Sequence, residues 1–138
     1  MFRLLPTLLL LIFVSSCRKD NSNSQVPLVA VDFTINLNDP QFIDLAVTTG
    51  WVYVTGGSMG IIIYRNNDSE FSAYDRHSPH NVNEFCQVSV NEDNITITDE
   101  CSDSQWIITD GQVIDGPAQA PLRRYNTTYS YPFLRVYN

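Results

Sequence analysis

The sequence predicts an all-β fold, a small antiparallel β-sandwich or barrel, from three observations. Short segments rich in aromatic and β-branched residues recur along the chain, and most of them alternate apolar with polar side chains. Turn-forming residues separate these segments at short intervals. No long stretch repeats its apolar residues with the period of a helix. Strands that follow one another without helices pack as sandwiches or barrels.

The first half of the chain contains four strand candidates and one ambiguous segment. Residues 31–37 alternate apolar and polar side chains, which is typical of a half-buried strand, and Asn38-Asp39-Pro40 ends it. Residues 42–45 form either a short strand or a turn. The other three candidates are residues 50–55, which are rich in aromatic and β-branched side chains, the continuous apolar run at 60–65, and residues 71–74, which alternate again.

Two hairpins and two further strands are predicted in the second half. Residues 86–90 pair with 94–98 across Asn91-Glu92-Asp93. Residues 106–109 pair with 112–114 across Asp110-Gly111, because Asp-Gly suits a tight hairpin turn. Strands at 123–129 and 133–137 complete the expected fold.

The first 16 residues have the layout of a secretory signal peptide. Arg3 supplies the positive charge, residues 4–14 form the apolar stretch, and small residues precede Cys17. The apolar stretch is shorter than the roughly 20 residues that a membrane-spanning helix needs, so we expect cleavage.

The segment Val14-Ser15-Ser16-Cys17 also resembles a bacterial lipobox, in which Cys17 receives diacylglycerol. Two or three acyl chains anchor a protein stably to a membrane. We therefore predict a membrane-anchored lipoprotein of the bacterial cell envelope, outside the cytoplasm. An ordinary signal peptide with an incidental cysteine is the alternative.

The expected organisation is a signal peptide at 1–16, the lipidated Cys17 with a flexible polar tether at 17–26, and one domain at 27–138. Removal of the signal peptide takes away only Arg3, which changes the formal net charge from −7 to −8. An acidic surface repels phosphate backbones, so nucleic acid is not an expected partner.

The segment from Ala73 to Tyr125 resembles the Rieske domain family. Its matching parts are Asp75-Arg76-His77-Ser78-Pro79-His80, Asp99-Glu100-Cys101-Ser102, Trp106, and Gly116-Pro117-Ala118 with Pro121-Leu122. Rieske domains carry two cluster-binding loops, Cys-x-His and Cys-x-x-His, followed by a Gly-Pro-Ala-x-x-Pro-Leu loop. Two thiolates hold one iron of a 2Fe-2S centre and two imidazoles hold the other. The resemblance implies a Rieske-like antiparallel β domain with these loops clustered at one end.

Matched position by position, the chain keeps one of the four cluster ligands. His80 matches the first ligand histidine, whereas Ser78 and Asp99 replace the two cysteines and Ser102 replaces the second histidine. Cluster iron needs thiolate and neutral imidazole donors, which serine and aspartate do not supply. We therefore expect no 2Fe-2S cluster, no other metal and no catalytic residue. The expected role is a non-redox structural or binding module with an unidentified envelope protein as partner.

Cys86 and Cys101 remain as an even pair in an exported domain, and such a compartment permits disulfides. In the resemblance, Cys101 falls on a cysteine that forms a disulfide beside the cluster in some Rieske proteins, and Cys86 supplies its partner. We predict that this disulfide ties the two former cluster loops together.

Three alternative functions follow from the same residues. The first is electron transfer by a retained 2Fe-2S or other metal centre that uses His80 and the two cysteines. The second is a zinc site that combines the reduced thiols with one or both imidazoles of His77 and His80, with Asp99 as a further oxygen donor. The third is hydrolysis by Ser78, His80 and Asp99, which is disfavoured because residues two apart on one loop seldom face each other.

Aromatic residues recur in the predicted strands and permit two interpretations. They form either a ligand-binding face or, as is usual in β domains, part of the core. The residues concerned are Trp51, Tyr53, Tyr64, Trp106, Tyr125, Tyr129 and Tyr131.

Overall fold

The computed structural model describes residues 26–138. Within this range it contains ten β-strands and two short 3-10 helices, and every strand pairing is antiparallel, which confirms the predicted fold class. The expected signal peptide at 1–16 and residues 17–25, which include Cys17 and most of the expected tether, lie outside the described residues. No helix in residues 26–138 has the length and apolar character needed to cross a membrane.

The strands form two sheets. In chain order they are β1 (Asp32–Asn36), β2 (Trp51–Val54), β3 (Ile61–Arg65), β4 (Phe71–Asp75), β5 (Ser89–Val90), β6 (Thr96–Asp99), β7 (Ser104–Ile107), β8 (Val113–Asp115), β9 (Arg124–Ser130) and β10 (Phe133–Tyr137). The larger sheet has the order β1-β10-β9-β4-β3-β2, and the smaller sheet has the order β5-β6-β7-β8.

The strands lie where the sequence predicts them, with ends that differ by a few residues. Both predicted hairpins form, as β5–β6 and β7–β8, and the second contains a register shift between Gln105 and Trp106. The ambiguous segment at 42–45 belongs to a 3-10 helix at Pro40–Ala46. Proline is well tolerated in the first turn of a helix, because its missing N–H would have no partner there.

Strand β3 is the centre of the molecule because both of its faces are covered. Ile61 and Ile63 pack in one hydrophobic cluster, and Ile62 and Tyr64 pack in a second cluster with Trp106. Successive side chains of a strand point to opposite faces, so a strand covered on both sides reads as a continuous apolar run. Each such large side chain contributes about 1.5–3 kcal/mol when fully buried.

The core interpretation of the aromatic residues holds for part of the set. Tyr64, Trp106 and Tyr125 are buried core residues, whereas Tyr53 and Tyr131 are exposed. The exposed residues do not form one continuous strand face.

The first and last strands pair with each other. Five residue pairs join β1 and β10, from Asp32 opposite Tyr137 to Asn36 opposite Phe133. Asn138 extends this pairing, because its backbone N–H donates to the carbonyl of Val31 at 3.0 Å. Its side-chain oxygen accepts from the backbone N–H of Val31 at 3.1 Å.

Three connections meet at one end of the smaller sheet. We call them the first loop (residues 76–88), the second loop (residues 99–104) and the third loop (residues 116–122). The first loop is closed at its base, because Val88 N–H donates to the Arg76 carbonyl at 2.7 Å and Ser78 N–H donates to the Cys86 carbonyl at 2.8 Å. The indole N–H of Trp106 donates to the Ala120 carbonyl in the third loop at 3.0 Å.

Candidate functional site

Hydrogen bonds join three of the four positions that the resemblance assigns to cluster ligands. The Ser78 hydroxyl donates to Oδ2 of Asp99 at 2.6 Å, and the Ser102 hydroxyl donates to the same oxygen at 3.0 Å. The backbone N–H of Cys101 donates to Oδ1 of Asp99 at 2.9 Å. Ser78 and Asp99 are buried. This Ser-Asp-Ser cluster (Ser78, Asp99, Ser102) links the first loop to the second.

The same network reaches the third loop through Ser104. The hydroxyls of Ser102 and Ser104 are 2.9 Å apart, and the backbone N–H of Ala118 donates to Oγ of Ser104 at 3.0 Å. Gly116 permits this contact, since a Cβ at that position would lie 2.6 Å from Cα of Ser104 and φ there is 85°. Polar groups therefore hold all three loops together.

His80 is half-buried and stands beside this cluster without joining it through its ring. Its backbone N–H donates to Oγ of Ser78 at 3.2 Å, and its imidazole makes no hydrogen bond to another residue in the range 26–138. The Ser78 hydroxyl points to Asp99 and not to an imidazole. The nucleophile-to-base contact that a Ser78-His80-Asp99 hydrolase needs is therefore absent from the described residues.

Cys86 and Cys101 form the predicted disulfide, with their Cα atoms 6.3 Å apart. It joins the first and second loops beside the Ser-Asp-Ser cluster. Oxidised sulfur is not a thiolate donor, so neither cysteine is free to bind metal in this state.

These residues do not fit a 2Fe-2S cluster. Four donors are needed, two of them thiolates, and the corresponding positions supply two hydroxyls, a carboxylate and one imidazole. Both hydroxyls and the carboxylate already satisfy one another. A cluster at this place would have to break those bonds and then accept poor ligands.

The zinc site considered from the sequence is not assembled by the described residues. Among residues 26–138, one group of three His, Cys, Asp or Glu side chains brings its ligand atoms within 4.8 Å of one another. It consists of Glu84, Cys86 and Cys101, and it includes neither histidine nor Asp99.

His77 is fully buried, and both of its ring nitrogens have partners. Nε2 lies 2.8 Å from the carbonyl oxygen of Val82, and Nδ1 lies 2.8 Å from Oγ of Ser58. A carbonyl can only accept, so Nε2 donates, and in the neutral ring Nδ1 accepts from the Ser58 hydroxyl. His77 therefore fixes the first loop to the turn at 56–60 and has no nitrogen left for a metal.

Asp75 is the second buried carboxylate of this region and accepts four hydrogen bonds. Its Oδ1 accepts from the backbone N–H groups of His77 at 2.8 Å and Met59 at 3.2 Å. Its Oδ2 accepts from the backbone N–H of Ser58 and from the Tyr125 hydroxyl, both at 2.6 Å. Asp75 thereby joins strand β9, the turn at 56–60 and the start of the first loop.

The Tyr125 hydroxyl is a committed donor to Asp75. Burial raises the pKa of Tyr125 above its ordinary value, and the hydrogen bond to Asp75 raises it further. The group therefore stays protonated throughout the neutral range and keeps its hydrogen on the carboxylate.

Sequence reasoning missed the roles of Asp75, Ser58, Ser104 and Glu84. The one sequence signal for Asp75 was its place directly after a predicted strand, and since the structure buries the whole strand Phe71–Asp75, its carboxylate needs partners. The contacts of Ser58 and Glu84 depend on how two turns fold, and the sequence carries no comparable signal for them.

Substitution of Asp99 by asparagine is expected to lower the free energy of unfolding by about 2 kcal/mol. The amide puts an N–H₂ group at one of the two oxygen positions, so at least one buried donor loses its acceptor. Urea denaturation followed by tryptophan fluorescence measures this change. The matched control is Asp103→Asn, because Asp103 is exposed, its side chain accepts no hydrogen bond from the described residues, and asparagine tolerates its positive φ of 59°. Equal losses for the two variants would contradict the role assigned to Asp99.

Comparison with known proteins supports the fold. No protein-family model matches the chain, and no curated protein sequence matches it. Among solved structures, the chain is similar to the crystal structure of the plasma membrane Rieske protein PetC3 from the cyanobacterium Synechocystis PCC 6803. The TM-score is 0.59 at 22% sequence identity, and the match covers 77% of this chain and 99% of that chain. The described domain therefore has the Rieske-like fold that the sequence resemblance predicts.

Proposed function

We propose that this chain, whose fold is Rieske-like, is a lipid-anchored envelope protein that has lost its 2Fe-2S cluster. In this proposal it acts as a non-redox structural or binding module and not as an enzyme. The observation that carries the proposal is the sharing of one Asp99 oxygen by the hydroxyls of Ser78 and Ser102. Three former ligand positions thus satisfy one another without metal.

A cluster in a Rieske domain also holds together the loops around it. Ligands from two loops hold a Rieske cluster, so the metal also cross-links those loops. In this chain the Ser-Asp-Ser cluster and the Cys86–Cys101 disulfide link the same two loops. The loops therefore have a defined arrangement that does not depend on iron, which is what a binding module needs.

The end of the first loop offers a surface for a partner. Phe85 is 65% exposed, and its backbone has a φ of 53°, which a bulky residue rarely adopts. The neighbouring Cys86 is held by the disulfide, so this aromatic side chain is presented from a cross-linked loop. Exposed aromatic residues on rigid elements are common anchors of protein interfaces. We propose that an envelope protein contacts this end of the domain.

The N-terminal sequence supports the proposed membrane location. The lipobox-like segment that ends at Cys17 supports a lipid anchor, and the polar residues that follow it support a tether to the domain. The similar protein PetC3 is described as a plasma membrane protein, which is compatible with a domain of this fold standing at a membrane.

Iron and sulfide analysis of the exported protein tests the proposal. We expect wild-type protein, purified without oxygen from an envelope fraction, to contain no stoichiometric iron or inorganic sulfide and to give no low-temperature electron spin resonance signal. A variant with Ser78→Cys, Asp99→Cys and Ser102→His should take up both, because with His80 it carries both ligand pairs.

The two proteins separate the possible outcomes. Two irons and two sulfides per wild-type chain would overturn the proposal and favour the electron-transfer alternative. Absence of iron from both proteins, with the triple variant folded by circular dichroism, would contradict the assignment of the ligand positions.

A further inference from the structure

The side chains of Glu84, Cys86 and Cys101 meet where the first and second loops are cross-linked. A ligand atom from each lies within 4.8 Å of the others, and no other trio of His, Cys, Asp or Glu in the described part of the chain does so. Glu84 and Cys101 are exposed and Cys86 is buried, so solvent reaches two of the three groups.

The local backbone brings Glu84 to the sulfur atoms. Glu84 ends a 3-10 helix at Val82–Glu84, and Phe85 follows it in the left-handed conformation. Backbone N–H groups of Glu84 and Phe85 donate to the carbonyls of Asn81 and Val82, which fixes this turn. This turn therefore places Glu84 next to the disulfide, with its carboxylate within 4.8 Å of both sulfur atoms.

We propose that reduction of the Cys86–Cys101 disulfide converts this place into a Zn²⁺ site with Glu84 as its third ligand. Two thiolates and one carboxylate are ligand types that zinc accepts, and a water molecule completes a tetrahedron. Sulfur atoms bound to one zinc at about 2.3 Å lie roughly 3.8 Å apart, so the two sulfur atoms move about 1.8 Å farther apart than in the disulfide. This site differs from the zinc site considered from the sequence, because it uses neither histidine nor Asp99.

The redox step balances with a dithiol as reductant. The dithiol gives two electrons and two protons to the disulfide, the sulfur–sulfur bond breaks, and two cysteine thiols and an oxidised dithiol result. Zinc binding then releases the two thiol protons, because the ligands are thiolates. In the oxidised protein neither sulfur is available as a ligand, so the disulfide prevents zinc from binding at this site.

Metal binding would preserve the connection between the loops. When the covalent link is lost, a zinc ion held by Cys86 and Cys101 joins the same two backbone positions. The Ser-Asp-Ser cluster lies between the same loops and contains no cysteine side chain, so it can keep them aligned while the disulfide is open.

Zinc titration of reduced and oxidised protein tests the inference. The protein is reduced with a dithiol, the reductant is removed without oxygen, and Zn²⁺ is added in a calorimeter. Co²⁺ serves as a spectroscopic probe, since thiolate coordination gives an intense charge-transfer band. We expect one Zn²⁺ per reduced chain and none for the oxidised chain.

The variant Glu84→Gln isolates the third ligand. Loss of groups that merely orient a metal ligand costs 10–100-fold in affinity, so loss of a direct ligand should weaken zinc binding at least about tenfold. The matched control is Glu100→Gln, because Glu100 is exposed and next to Cys101 but outside the trio. It should leave the affinity unchanged.

Three outcomes would overturn the inference. These are equal affinities of the two glutamine variants, equal binding by oxidised and reduced protein, and unfolding of the reduced protein as seen by circular dichroism. The zinc site uses none of the four former cluster-ligand positions. The zinc titration is therefore independent of the iron and sulfide analysis. A negative result in one experiment would leave the proposal tested by the other unaffected.

Discussion

Replacement of Asp75 by asparagine is expected to lower the free energy of unfolding by about 3–5 kcal/mol. Each oxygen of Asp75 accepts two hydrogen bonds: Met59 and His77 donate to Oδ1, and Ser58 and Tyr125 donate to Oδ2. Whichever way the asparagine amide is turned, its N–H₂ group faces two donors. Each buried donor that loses its acceptor costs about 1–3 kcal/mol. Urea denaturation of purified protein measures the loss.

Two further variants make this prediction specific. Tyr125→Phe removes one donor and leaves the carboxylate with three, so we expect a smaller loss of about 1.5–3 kcal/mol. Asp68→Asn is the control, because Asp68 is exposed and its carboxylate accepts no hydrogen bond from the described residues. A stability of Asp75→Asn within about 0.5 kcal/mol of this control would show that Asp75 does not organise the region.

The second large effect concerns the disulfide. A double variant with Cys86→Ser and Cys101→Ser is expected to lose about 3 kcal/mol, because the bond closes a loop with a sequence separation of 15. The expected mechanism is the greater freedom of the unfolded chain once the loop is open. Denaturation in the presence of a chelator, with and without a dithiol, measures the effect.

Treatment with a reductant distinguishes the effect of losing the disulfide from the effect of the two serine substitutions. Wild-type protein should lose about 3 kcal/mol on reduction in the chelator, whereas the double variant should not respond. Added Zn²⁺ should restore part of the loss to reduced wild type and none to the double variant. If the double variant were as stable as oxidised wild-type protein, the disulfide would not contribute to holding the first and second loops together.

The strands were predictable because their sequence signals are local. The alternation at 31–37 and the apolar run at 60–65 each report how many faces of the strand are covered, and β1 and β3 form there. The segment at 42–45 was ambiguous because four residues are too few to distinguish a strand from a helical turn. Pro40, the first residue of the 3-10 helix Pro40–Ala46, was the stronger signal for a helical turn.

The site was predictable only in part, and the reason is the distance along the chain between its partners. The resemblance selected Ser78, Asp99 and Ser102, and the structure brings these three together. The resemblance did not indicate that Asp75 accepts hydrogen bonds from the backbone N–H groups of residues 58 and 59. Almost every residue has a backbone N–H group, so the residue types at these positions do not reveal such a contact. Glu84 lies near the cysteines in a turn that ends with Phe85 in the left-handed conformation. Phenylalanine rarely adopts this conformation, so the sequence did not predict the turn.

If the chain is anchored through Cys17 as proposed above, the pairing of β1 with β10 has a mechanical consequence. The five residue pairs lie side by side along β1. Tension that enters along this strand pulls it lengthwise past its neighbour and loads these bonds together, whereas peeling would load them one after another. In the proposed anchored protein, this edge of the larger sheet would therefore resist tension in shear.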